Sequence, residues 1–187
     1  MSGSLVLLDS ATASTSASII LGGGTSGSSS ENYEIDSTYN VYVAIWKDVV
    51  SVSDNVGMYV RITKTDGSGG ASADTTSNYD KSQKNLRVET SFSDTGDVDD
   101  DKWNLGNMGT GTSETHQGIA YLYNFSNASE YSFMTIERSN HMADPNYLYG
   151  SMGGLCHTVT SASNGLQFYI SSGNIASGKF YLYGIKK

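Results

Sequence analysis

A chain of 187 residues is long enough to bury about 70% of its unfolded surface in one domain, so neither disulfides nor a structural metal is needed to hold it. A formal charge of −8 excludes a role that tracks nucleic-acid phosphates, where affinity comes from Lys and Arg releasing counterions. With 21 Gly, 13 Tyr, one Pro and only 16% charged residues, turn formers separate short aromatic and β-branched runs, which is the composition of an all-β protein.

From the N-terminus, SLVLL and SASIIL read as two strands, followed by a loop from Gly22 to Asn32 that is flexible by composition. In YNVYVAIW, Tyr39, Val41, Val43 and Ile45 share one face while Tyr42 and Trp46 take the other, which predicts a strand covered on both sides. NVGMYVRITK sets Val56, Met58, Val60 and Ile62 against Gly57, Tyr59, Arg61 and Thr63, the alternation of a half-buried strand.

A long polar insertion follows, over about 64–114. It opens with an Asp-Gly turn at Asp66-Gly67, carries a helical turn in NYDKSQKN and is broken by one strand candidate, LRVETSF. Beyond it, GIAYLYNF, YSFMTIER, LCHTV, GLQFYI and KFYLYGI complete the set. The expectation is a single domain over 1–187, a jelly-roll-like antiparallel β-sandwich of about eight to ten strands with one long polar loop insertion.

Cys156 is the only cysteine, so no intrachain disulfide forms. MSGSLVLLDS lacks the basic stretch and apolar run of a signal peptide, and no segment approaches the ~20 apolar residues of a membrane helix. Synthesis in a bacterial cytoplasm with no membrane contact is the expectation. The sequons at Asn124 and Asn127 are then chance matches.

Few motifs carry chemistry. DTGDVDDDKW places oxygen ligands at Asp97, Asp99 and Asp101, but Lys102 stands where a calcium loop needs Gly and Met108 where it needs a bidentate Glu, so a solvated acidic loop is preferred over a calcium site. His116, His141 and His157 are not spaced as a zinc pair, and Cys156 and His157, being adjacent, point to opposite sides of a strand. No nucleophile elbow, phosphate loop or zinc-protease motif occurs. The prediction is of no catalytic residues, no bound metal and no cofactor.

Among the aromatics, Tyr121, Tyr123, Phe125, Phe168 and Tyr181 are read as core or inter-subunit packing. Trp103, Tyr147 and Tyr149, in loop-like context, are the surface-binding candidates.

Four segments carry a resemblance: LLDSATASTSASIIL, IDSTYNVYVAIWKDV, VSDNVGMYVRITKTDG and NGLQFYISSGNIASGKFYLYGIKK. They resemble a family of small jelly-roll virion structural proteins of tailed, often marine, bacteriophages, whose closing motif SGNIxSGxxxLYGI is matched by Ser172 to Ile185. The resemblance implies a compact domain whose last strand is an integral sheet member, with Gly173 and Gly178 bounding a tight turn.

It also implies a non-enzymatic virion protein. The leading reading is a capsid decoration or cement protein on the outer surface, a homotrimer whose partner is the major capsid protein or another virion protein. The start of the domain a few residues from Met1, with no preceding coiled coil, favours capsid over tail. The alternative is a tail-fibre tip or baseplate adhesin that binds host-surface glycans.

Overall fold

The structure is a computed structural model that describes residues 4–24, 33–68, 70–88, 92–143 and 146–186, of which 142, 143, 146 and 147 are described in their backbone alone. Most of the loop predicted over Gly22 to Asn32 lies outside the described residues. Thirteen antiparallel strands are described: β1 Leu5–Ser16, β2 Ser18–Gly22, β3 Val41–Ser51, β4 Val56–Thr65, β5 Ala71–Ala73, β6 Tyr79–Arg87, β7 Ser93–Asp100, β8 Trp103–Met108, β9 His116–Tyr123, β10 Ser132–Ala143, β11 Asn146–His157, β12 Gly165–Ile170 and β13 Ile175–Ile185.

Their pairing has a nested logic. β1 pairs with β13, β2 with β12, β3 with β9 and β4 with β8, as if one long hairpin had been laid down end to end. Rolling that hairpin up adds the contacts β13 to β3 and β12 to β4. The products are the four-stranded sheets β1-β13-β3-β9 and β2-β12-β4-β8, the double-sheet arrangement of a jelly roll.

Two insertions enlarge it. β5 to β7 lie between β4 and β8 in sequence, and β10 and β11 lie between β9 and β12. They meet through β11 and β6, so the first sheet continues as β9-β10-β11-β6-β7 to eight strands.

The polar insertion over 64–114 is therefore no loop: it contributes β5 to β8. NYDKSQKN forms no helical turn, because from Tyr79 onward it is β6. Along YDKSQKNLR the buried positions alternate, but three of the four, Lys81, Gln83 and Asn85, are polar. The period of two is present in a form that a count of apolar residues does not register.

The terminal motif also differs from expectation. Gly173, at φ 80°, sits in the turn between β12 and β13, which carries the chain from one sheet to the other and does not close a hairpin. Gly178, at φ 150°, lies inside β13, where register shifts against Val50 and Lys47 mark a bulge over Val49.

The core between the sheets is aromatic. Phe168 of β12 lies 5.6 Å from the Trp46 ring and 5.2 Å from Phe180, so the smaller sheet seats on β3 and β13 of the larger. Trp46 covers Gly118 of β9, where a Cβ would collide with the indole. Its Nε1–H donates to Nδ1 of His116 at 2.9 Å, which leaves the proton of that ring on Nε2, 3.2 Å from the Leu105 carbonyl of β8.

His116 is fully buried in this chain of bonds, and burial, with Arg138 nearby, pulls its pKa down to about 3. A ring that stays neutral when folded but accepts a proton at about pH 6.5 when unfolded gives stability that is complete above pH 6.5. That stability is lost progressively toward pH 3.

Unfolding free energies from denaturant titration should therefore fall from about pH 6.5 downward, beginning before the carboxylates titrate, by up to about 5 kcal/mol in total. His116→Gln, which keeps an acceptor and a donor, should lower stability at pH 7 but flatten that slope. An unchanged slope in the variant would show that another group controls it. Gly118→Ala, which forces the indole off its seat, should cost about 1–3 kcal/mol by chemical denaturation.

Candidate functional site

Trp103 is the clearest correction to the surface candidates. It begins β8 and is fully buried, its ring edge-on to Tyr79 at 5.0 Å and its Nε1–H donating to the Asp80 carbonyl at 3.1 Å. The acidic flank gave it a loop-like setting, but WNLGNM buries Trp103, Leu105 and Met108 against the larger sheet.

Tyr149 lies on β11 with its ring between two guanidinium groups, Arg138 at 4.9 Å and Arg87 at 5.2 Å. Arg138 is itself buried, and burial draws its pKa down to about 10. The side chain of Tyr147 lies outside the described residues.

The acidic stretch is strand and turn. Asp97 on β7 pairs with the buried Lys81 of β6 at 2.6 Å. Asp101, in the turn before β8, pairs with Arg61 and with Lys102, and its carboxyl is held at about 2, chiefly by the Lys102 ammonium. Asp99 takes a positive φ of 54°, and its N–H donates to Asp80 Oδ1 at 3.0 Å. The three do not converge, and among the described residues no group of three or more His, Cys, Asp or Glu side chains is arranged to hold a metal.

Cys156 and His157 diverge as adjacent strand residues must. His157 is buried, its ring 4.8 Å from Tyr79 and its Nε2 3.3 Å from Asp74 Oδ2. Burial holds its pKa below the usual range. Asp74 is pushed up by burial but pulled further down by Lys64 and Thr76, to about 2. The Cys156 thiol faces the other side of the sheet, and its pKa is raised by burial and then by Asp80.

That other side is the outer face of the eight-stranded sheet, and it is the feature that singles out a site. Strand register fixes which side chains share it, because directly opposed residues point the same way. One row runs Leu7, Tyr183, Val43, Tyr121, Thr135, Gly154 across six strands. A second runs Tyr181, Ile45, Ile119, Glu137, Met152, and a third Val41, Tyr123, Phe133, Cys156.

Glu137 is the one charged residue in these rows. Val43 is only 1% exposed although it lies on the outside, because it is flanked by Tyr183 and Tyr121. Leu7, Phe133 and Met152 are exposed at 54%, 44% and 47%. Beside Gly154, where a Cβ would meet nothing within 4 Å, a groove opens between Phe133 and Val98.

Tyr121, Tyr123 and Tyr181, read from sequence as core or inter-subunit packing, thus fall on the outer face, whereas Phe125 and Phe168 are core. The outward positions of GIAYLYNF and KFYLYGI are as apolar as the inward ones, and that doubling was the available signal for the face.

Comparison with family models, curated proteins and solved structures found no match to this chain.

Two outcomes follow from this placement. Trp103→Ala should cost about 3–5 kcal/mol of stability, as removal of a buried ring does, and should show itself in a melt. Calcium should leave the melting temperature where EDTA leaves it, because Asp97 and Asp101 already have cationic partners; a calcium-dependent rise would restore the metal reading.

Proposed function

We propose that this chain is a non-enzymatic structural protein of a bacteriophage virion, a jelly-roll subunit that decorates or cements the outside of the capsid as a homotrimer. The observation that carries the reading is the apolar, aromatic outer face of the larger sheet. Soluble monomers rarely leave such a face uncovered, and patches of this kind mark docking surfaces. The resemblance of the terminal segments to virion proteins supports the same reading. The chemistry is non-covalent: the subunit stabilises what it binds by mass action, with the major capsid protein or another virion protein as the partner.

A second reading, a tail-tip adhesin for host glycans, draws support from a patch on the outside of the smaller sheet. There Tyr59 and Tyr169 meet edge to face at 5.4 Å, with Arg61 over Tyr169 at 4.8 Å and Lys102 over Tyr59 at 5.2 Å. Aromatic rings beside cations are what stacking on an acidic sugar would use.

A cryo-electron microscopy map of the intact virion that traces this chain separates the two readings. Density on the capsid exterior is the expected result. Density confined to the tail would overturn it, and glycan binding that is lost in Tyr59→Ala or Tyr169→Ala would then establish the adhesin.

A further inference from the structure

We infer that the outer face of the eight-stranded sheet is where a second copy of this chain docks. The inference rests on reading that face as a docking surface and names its occupant.

Area is the first argument. The apolar rows cross β1, β13, β3, β9, β10 and β11. Six strands at about 4.8 Å by the five residues that the three rows span at about 3.4 Å give a face of about 500 Å². One side of a standard stable interface is about 800 Å², so the rows supply the larger part of one and the residues around their rim the remainder.

Charge is the second. The chain carries −8, so two copies repel over most orientations and approach best where neither presents like charges. The three rows contain Glu137 alone; Lys47 and Lys179 oppose each other in the row beside them, and the acids of the larger sheet's outer surface gather toward its far margin, at Asp80 on β6 and Asp94 and Asp97 on β7. A copy therefore meets its own kind most cheaply through this face.

Chemistry is the third. Tyr121, Tyr181 and Tyr183 bring large rigid rings with hydroxyls at their rims, and Tyr181 and Tyr183 already pack on each other at 6.3 Å. Rings of this type bury large area at little cost in rotamer entropy, and their hydroxyls hydrogen-bond to one another or to retained water. A face of tyrosines is self-complementary in a way that a face of one charge is not.

Cys156 supplies a built-in reporter, because it lies on this face next to Phe133 and is the only thiol in the chain. The test is light-scattering mass of the full chain over a concentration series, with the rate of Cys156 alkylation by a maleimide followed in parallel. The expected result is a mass of a whole number of chains greater than one at high concentration. Alkylation should then slow by about fivefold once the total chain concentration exceeds the dimer Kd by about tenfold.

Tyr121→Arg should shift the mass to one chain and restore fast alkylation, with an unchanged far-ultraviolet spectrum. Val88→Arg, which alters a more exposed apolar residue after β6, should leave the mass as it was. Should Tyr121→Arg fail to fold, Leu7→Arg at the sheet margin serves in its place. A single-chain mass at every concentration with constant alkylation overturns the inference, as does a folded Tyr121→Arg that still assembles. A single chain found on the capsid would overturn this inference and the homotrimer but leave the decoration role standing, whereas an assembly absent from the virion would do the reverse.

Discussion

Trp46 is the contact on which the rest of the fold depends. Its ring needs a flat seat, which Gly118 provides on the neighbouring strand; it needs a hydrogen-bond acceptor, which His116 provides; and its free face receives Phe168 from the opposite sheet. Each requirement fixes a different element: β9 by close approach, β8 by the bond from His116 to the Leu105 carbonyl, and β12 by ring packing. A large buried aromatic with one polar handle thus ties four strands together at once, and an error at any partner is felt by all.

β8 carries that role further. Its backbone pairs with β4 in the smaller sheet, yet its carbonyls receive side chains from the larger one: His116 at Leu105, Lys81 at Asn104 and Asn140 at Asn107. A strand with one edge in a ladder has spare acceptors on the other, and buried acceptors must be satisfied. Polar side chains inside β6, β9 and β10 meet that need. The four strands added to the larger sheet are therefore held by hydrogen bonds and the Lys81–Asp97 pair in addition to apolar packing, which includes Tyr79 on Trp103 and the buried Met134, Ile136 and Leu155. Among the described residues, Gln83 Oε1, Ser151 Oγ and Arg138 Nε of this polar interior are buried without a hydrogen-bond partner in the protein, as are Asp9 Oδ1 and Tyr169 Oη in the jelly roll.

The same division explains what was legible in the sequence. The strands of the aromatic core were read from alternation: Val56, Met58, Val60 and Ile62 are buried as their spacing required, as are Tyr42 and Trp46. β6 and β8 were missed because Lys81, Gln83 and Asn85 are buried polar residues and because acids flank Trp103. In both places burial follows from partners distant in sequence, Asp97 and Asn104 for Lys81 and Tyr79 for Trp103, which local pattern does not encode. For the outer face, the aromatics were visible in sequence but their common surface was not. Tyr183, Val43 and Tyr121 become neighbours only through the register of three strands drawn from the end, beginning and middle of the chain.

Sheet edges sharpen the case for a face over an edge as the route of association. An open edge is a template for pairing with any other strand unless something blocks it. At one end of the larger sheet β7 carries Asp94, Asp97, Asp99 and Asp100, and two such edges would repel. At the other, β1 breaks register between Leu7 and Asp9, buries the Asp9 carboxylate against the Gly22 N–H, and after Ala17 the chain passes into β2 of the opposite sheet. A strand bulged near one end and turned out of the sheet at the other offers only a short straight run to a partner. With both edges discouraged, the larger sheet has its outer face left for contact, and the apolar rows at the middle of that face hold a single charged residue, Glu137.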